Sequence, residues 1–146
     1  MFEYNMILID GTVDYNAAND TAPTSTTRDA ATGAAVIDLG LGGTPASGLS
    51  AILIVPDDAN GDLDTLTAVL EVSSAVAFGS DKSEVGKFDV AAASEGVILG
   101  SEVPCVSILR FSTDKRYVRI NGMVGTSPDD FGAVKAYLSP YEFKVI

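Results

Sequence analysis

The side chains that most often carry out catalysis are scarce in this chain. It has no histidine and a single cysteine, Cys105. A Ser-His-Asp triad, a Cys-His pair and zinc sites built from histidines or several thiolates are therefore excluded, as is a disulfide within the chain. Because Cys105 lies in the apolar run 103–106, we expect a small buried apolar residue and not a reactive thiol.

Carboxylates are the one abundant group that could perform acid–base chemistry, with 20 Asp and Glu residues. Two of them could act as in a glycosidase, but most lie in turns beside Gly, Ser or another acid, where solvation is the simpler explanation. The glycines at 40–43 do not form a nucleotide loop, because Pro45 and a predicted strand follow where a helix is required. We therefore expect no enzymatic activity and no cofactor.

The densest cluster of oxygen ligands lies in the segment 57–64, Asp-Asp-Ala-Asn-Gly-Asp-Leu-Asp. Its candidate metal ligands occupy alternate positions, as in calcium loops, and are Asp58, Asn60, Asp62 and Asp64. However, the glycine stands at the fourth position of that register instead of the sixth, and Val69 stands where a bidentate glutamate is required. A solvated turn between strands, with Asn60-Gly61 supplying positive φ, is therefore favoured over a weak calcium site.

The elements that position these side chains are predicted to be short β-strands. Apolar and polar residues alternate at 66–73, 106–109, 117–121 and 133–138. Val106 and Ile108 alternate with their neighbours in the same way as Val118 and Ile120, so each pair is expected on a core face. The run Ala51–Val55 predicts a strand covered on both faces.

Further short strands are expected at 35–39, 87–90 and 96–99. Turn signals such as Asn-Gly and Gly-Gly separate the runs, and no convincing amphipathic helix is present. Short strands interrupted this often indicate an all-β antiparallel sandwich or barrel.

One segment breaks the strand pattern. Residues 11–33 are rich in Asp, Asn, Ala and Thr and have almost no large apolar side chains. So long a stretch without strand signals is uncommon inside a compact domain, and we expect an extended arm, a functional loop or partial disorder. No second domain is visible, so residues 1–146 are predicted to form one β-sandwich domain. Deletion of Thr12–Thr32 is then expected to leave the β-domain folded but to weaken its assembly with partners.

Charge limits the possible partners. With 9 Lys and Arg against 20 Asp and Glu, the net charge is −11. Such a surface repels phosphate backbones, so nucleic acid is not expected as a partner. The first ten residues lack the basic start and apolar run of a signal peptide, and no apolar run approaches membrane-spanning length. We therefore expect neither secretion by such a signal nor insertion into a membrane.

Aromatic and arginine residues provide candidates for a protein interface. Alternation places Tyr117 and Arg119 on one strand face, and such residues are typical interface anchors; the alternative is an exposed sheet face with cross-strand pairs. Tyr137, Tyr141 and Phe143 are similar candidates, which would either cap the sandwich or contact a neighbouring molecule.

The order and spacing of six segments resemble those of a known family. The segments are Val36–Gly40, Ile52–Val55, Leu66–Ser73, Phe78–Ser80, Arg116–Ile120 and Gly132–Leu138. Together they resemble the jelly-roll cement, or decoration, proteins that stabilise capsids of tailed bacteriophages, in particular those of the Bordetella-phage type. The resemblance covers about residues 35–138, and the long segment 11–33 departs from the shorter link expected after the first strand.

The resemblance implies an antiparallel jelly-roll-like β-sandwich without enzymatic activity. It further implies a place on the outer capsid surface of the virion, after assembly in the host cytoplasm. The implied partners are the major capsid protein and other copies of the chain, as a homo-dimer or homo-trimer.

Two other function classes are open. One is a carbohydrate-binding β-sandwich, with calcium at 57–64. Such modules usually bind sugars through exposed aromatic platforms, and the absence of tryptophan weakens this alternative. The other is a small hydrolase, which the missing histidine disfavours.

Overall fold

The computed structural model describes residues 6–16, 18–56, 66–88, 105–125 and 131–140. Within these ranges the chain forms β-strands and no α-helix, which confirms the predicted all-β class. The strands are β1 Ile7–Asp10, β2 Ile37–Asp38, β3 Leu49–Val55, β4 Leu66–Ser73, β5 Ser83–Phe88, β6 Cys105–Phe111, β7 Tyr117–Val124 and β8 Lys135–Pro140.

The strands form two antiparallel four-stranded sheets that pack as a β-sandwich. One sheet has the order β1-β8-β3-β6 and the other β2-β7-β4-β5; we call them the β1 sheet and the β2 sheet. Of the connections between these strands, only β4–β5 joins neighbours in one sheet, and every other passes from one sheet to the other. This is a jelly-roll-like strand order, in which two Greek keys enclose a shared core.

The core lies between the inner faces of the two sheets. The alternation at 66–73, 117–121 and 133–138 is confirmed, because Leu70, Val118 and Leu138 are all fully buried. In each strand the side chains between these inward positions point to the outer face. The predicted short strand at 35–39 is represented by β2, and the one at 87–90 by the end of β5; the one at 96–99 lies outside the described residues.

In strand β6 the core-facing residues are not the ones that the sequence predicts. Phe111 pairs with the inward-facing Leu49, and because side chains alternate, the odd-numbered residues of β6 must then face the core. Leu109 packs against the core, and Cys105 is only partly buried against it. Val106 and Ile108 are instead 54% and 65% exposed. The prediction that they form a core face is wrong.

The polar segment 11–33 is a long loop that packs on the sandwich, and not an extended arm. Tyr15 is 5% exposed and belongs to the core. Its backbone N–H donates to the Gly132 carbonyl at 2.8 Å, and its carbonyl accepts from the Phe131 N–H at 3.0 Å. Gly122 on β7 leaves room for the Tyr15 ring, since a Cβ atom there would collide with the phenol. Tyr15 therefore closes one part of the core that the strands leave open.

Short polar side chains order the rest of this loop. Asp10 Oδ1 accepts from the Thr12 N–H and hydroxyl at 3.0 and 2.7 Å, and Asp29 Oδ1 accepts from the Ala31 N–H at 2.8 Å. Asn and Asp residues commonly form such turns with the backbone two residues further on. Arg28 donates to the Ile7 carbonyl at 2.6 Å, which ties the loop to β1. The residue types that lack strand propensity thus form hydrogen-bonded turns.

Candidate protein-binding surface

The outer face of the β1 sheet carries a row of apolar residues that crosses all four strands. The register pairs Ile7 with Tyr137, Tyr137 with Ile52, and Ile52 with Ile108. Directly paired residues of antiparallel strands point to the same face. With strands about 4.8 Å apart, the row is about 15 Å long. We call these four residues the apolar row.

A second register position extends this apolar surface. Ile54 pairs with Val106, two residues along the strands from the apolar row. Val106 and Ile108 are exposed, whereas Ile7, Ile52, Ile54 and Tyr137 are half-buried. The prediction that Ala51–Val55 is covered on both faces is therefore wrong, because Ile52 and Ile54 remain partly open to solvent. Contiguous exposed apolar surface on a protein marks contact with another macromolecule more often than isolated apolar residues do.

Cations lie on both sides of the apolar row. Lys135 pairs with Ile54 on one side, and Arg110 pairs with Ser50 on the other. Both cations are exposed, and Arg110 also interacts with another group of the chain. Asp10 pairs with Lys135 at the corner of the sheet, where it bonds Thr12 and lies 3.7 Å from Arg28.

The outer face of the β2 sheet is different, because it holds a buried ion pair. Glu71 on β4 and Arg119 on β7 are paired in register, and they are 2% and 6% exposed. Arg119 Nε donates to Glu71 Oε2 at 2.8 Å, and Nη2 lies 2.7 Å from the same oxygen. Asn121 donates to Oε1 at 3.2 Å, and Lys82 Nζ lies 3.5 Å from Oε1. Both carboxylate oxygens are thereby satisfied.

The surroundings of Glu71 shift its ionisation. Burial alone would raise the pKa of the Glu71 carboxyl. The hydrogen bonds from Arg119 and Asn121, with the charges of Arg119 and Lys82, outweigh this effect and hold the pKa below its usual value. The carboxylate is therefore the stable form inside the fold.

The long loop and an aromatic ring cover this ion pair. Arg119 Nη1 donates to the Pro23 carbonyl at 2.9 Å, and its guanidinium lies 4.2 Å from the centre of the Phe78 ring. Phe78 is buried and adopts a positive φ of 51°, which is uncommon for a residue other than glycine. The cross-strand pairing that the sequence offers as the alternative is therefore confirmed by Glu71 and Arg119, but the expectation that this face is exposed is wrong. Arg119 points to the predicted face, but contacts within the chain cover it.

The other predicted interface residues lie in different parts of the structure. Tyr117 is half-buried beside Arg116, whose guanidinium lies 5.1 Å from the ring centre. Arg116 also forms two hydrogen bonds with Asp38, at 2.8 and 2.7 Å, and these lower the pKa of Asp38. Tyr137 belongs to the apolar row. Tyr141 and Phe143 lie outside the described residues.

The predicted calcium ligands Asp58, Asn60, Asp62 and Asp64 also lie outside the described residues. In the part of the chain that the structure describes, no group of three or more His, Cys, Asp or Glu residues could hold a metal ion. No helix in the same part is long and apolar enough to cross a membrane.

Comparisons of the chain with protein-family models, with curated proteins and with solved structures gave no match. Sequence reasoning missed most of the apolar row, because Ile7, Ile52 and Ile108 come together only through strand pairing. One signal was present: β3 is apolar at every position from Ala51 to Val55, so the strand must carry apolar side chains on its outer face as well as on its core face.

Proposed function

We propose that this protein is a non-enzymatic structural protein that binds other protein subunits, as a cement or decoration protein of a virus capsid. The observation that carries the proposal is the apolar row on the outer face of the β1 sheet. Small substrates are usually held in concave sites, whereas an apolar strip across a sheet face suits contact with another protein surface. The exposed fractions of Val106 and Ile108, 54% and 65%, make them the natural centre of such a contact.

The jelly-roll-like strand order supports the capsid part of the proposal. It agrees with the architecture that the sequence resemblance implies, and viral capsid domains use this architecture repeatedly. A sandwich whose long loop is tied down by Tyr15 and Pro23 presents its outer face without rearrangement. On a capsid, many copies of a modest contact add up through multivalency. The proposed partners are the major capsid protein and other copies of this chain.

Carbohydrate binding is a second candidate, and one observation favours it. Lectin domains also use the jelly-roll architecture, and Tyr137 places an aromatic ring on the outer face of the β1 sheet. Sugars commonly stack on such rings. A single half-buried tyrosine among aliphatic side chains is a small platform, however, so we rank this candidate second.

Sedimentation with capsids tests the proposal against this alternative. The genome that encodes this chain would first be searched for a major capsid gene. Empty and genome-filled capsids built from that gene's product would then be mixed with the purified protein. We expect it to sediment with capsids at a fixed saturating ratio and to show no binding to a glycan array. Binding to glycans without any sedimentation with capsids would refute the proposal.

A further inference from the structure

We propose that the apolar row docks on a surface of the capsid subunit in which apolar side chains are flanked by carboxylates. In this proposal the apolar row does not pair with the apolar row of a second copy of the chain. This inference rests on the proposed function, because it takes a capsid subunit as the occupant. It adds which face is used and what chemistry the partner must offer.

The apolar part of the contact follows from the register. Ile52 and Ile108 are direct neighbours in the apolar row, with Ile54 and Val106 as direct neighbours in the next register position. The four side chains therefore form a compact aliphatic patch at the β6 edge of the sheet. A partner that removes this patch from water must offer apolar side chains of its own, since an unpaired polar group there would lose its hydration.

The charged rim follows from the two cations. Lys135 lies two residues from Tyr137 along β8, and Arg110 lies two residues from Ile108 along β6, which places each about 7 Å from the apolar row. A partner seated on the row brings its own rim close to both. Arg110 has another contact within the chain and Lys135 has Asp10 as its register neighbour, but both cations are exposed. Carboxylates of the partner would therefore fit this rim better than lysines or arginines and would fix the orientation of docking.

The same cations argue against face-to-face pairing of two copies. In a two-fold symmetric contact the same surface serves both partners. With the axis along the strands, the row of Asp10, Lys135 and Ile54 meets the same row of the second copy, which brings the two Lys135 side chains toward each other. With the axis across the strands, that row meets the row that contains Arg110. Each chain also carries a net charge of −11, which adds repulsion between copies at low salt. Self-association through another surface is compatible with this inference.

Matched surface variants test the inference in the same capsid sedimentation assay. Ile108→Asn should weaken binding about tenfold or more, the loss expected when a buried aliphatic side chain no longer contributes. Lys135→Glu should weaken binding strongly at low salt and less at high salt. Met123→Asn is the control, because Met123 is 51% exposed on the outer face of the other sheet; its binding should stay within about twofold of the wild type. Thermal melting would show that all three variants fold.

The outcomes separate the two proposals. If the wild type sediments with capsids and both Ile108→Asn and Lys135→Glu bind equally well, this inference is wrong while the proposed function stands. If the wild type does not sediment with capsids at all, the proposed function is wrong, and this inference, which depends on it, is wrong as well. Analytical ultracentrifugation of the free protein adds a direct check. A dimer that Ile108→Asn dissociates and Met123→Asn preserves would show that the face pairs with itself, and would overturn the inference.

Discussion

At the residue scale, Glu71 and Arg119 form the contact with the clearest energetic consequence. Two charges that are 2% and 6% exposed are tolerated because each satisfies the other, with Asn121, Lys82 and the Pro23 carbonyl completing the shell. Removing one partner leaves a buried charge without its counterion. Removing one partner is therefore expected to cost more than the intact pair adds in net stability.

We predict that Glu71→Gln lowers the free energy of unfolding by about 3–5 kcal/mol, the usual cost of breaking a buried pair. Urea denaturation at pH 7 would measure it. Asp114→Asn is the control that removes a carboxylate charge, since Asp114 is exposed and lies outside this cluster, and it should change stability by about 0.5 kcal/mol or less. A double variant, Glu71→Leu with Arg119→Met, should cost much less than the sum of the single changes. Additive losses would show that the two side chains are independent.

The same pair predicts a pH dependence. The pKa of Glu71 is lowered from its usual 4.5, so the folded state favours the carboxylate more than the unfolded state does. The stability contributed by the charge is complete above pH 4.5 and is lost as the pH falls through the folded pKa. The stability difference between wild type and Glu71→Gln should thus be constant from pH 7 down to about pH 5 and shrink in more acidic buffer. A difference that does not change with pH would contradict the ion-pair interpretation.

At the scale of elements, the long loop 11–33 changes most between expectation and structure. Its composition leaves an extended arm, a functional loop and partial disorder open, because it lacks the apolar periodicity of a strand or helix. In the structure Tyr15 enters the core, the Asp20 carboxylate accepts from the Val124 N–H at 2.9 Å, and the Pro23 carbonyl accepts from Arg119. One buried aromatic side chain, Tyr15, together with hydrogen bonds from its neighbours, is therefore enough to hold this largely polar segment on the sandwich.

Tyr15→Ala should lower the free energy of unfolding by about 3–5 kcal/mol, as for other buried aromatic residues truncated to alanine. The exposed loop residue Thr21 provides the control, and Thr21→Ala should have little effect. Deletion of Thr12–Thr32 should abolish cooperative thermal melting, because it removes Tyr15 and uncovers the Glu71–Arg119 pair. If the deleted protein still melted cooperatively, the segment would be dispensable, as its composition alone predicts.

At the scale of the whole molecule, the two outer faces of the sandwich have opposite characters. The β2 sheet turns charged side chains outward, and the long loop with Phe78 covers them. The β1 sheet turns aliphatic side chains outward and leaves Val106 and Ile108 exposed. If contact with water alone decided the arrangement, charged side chains would be exposed and aliphatic side chains covered, and these two faces show the opposite. The asymmetry is accounted for if the β1 sheet is completed by a partner.

The topology makes the last described strand indispensable to the fold. β8 lies between β1 and β3 in its sheet, so its loss would leave β1 without a partner strand and β3 paired only with β6. We predict that a chain ending at Ala133 does not fold, and that circular dichroism and proteolysis would both report an unfolded protein. Cooperative melting of this truncated chain would contradict the observed strand order.

The sequence by itself determined the all-β class and the inward faces of β4, β7 and β8. Period-two alternation is a local property, and residues such as Leu70, Val118 and Leu138 differ enough from their neighbours to mark a core face. It also determined the absence of histidine chemistry, which depends on residue types alone. The resemblance anticipated the jelly-roll-like order through the succession of segments.

Only the tertiary structure decided the orientation of β6, the cover over Arg119 and the existence of the apolar row. In β6 both alternating sets contain apolar residues, so Ile108 and Leu109 are equally plausible core residues until pairing with β3 selects one face. Arg119 is buried by Pro23, which lies 96 residues away along the chain. The apolar row joins Ile7, Ile52, Ile108 and Tyr137 from four separate strands. Strand register and sheet order are non-local, and they decide which side chains become neighbours.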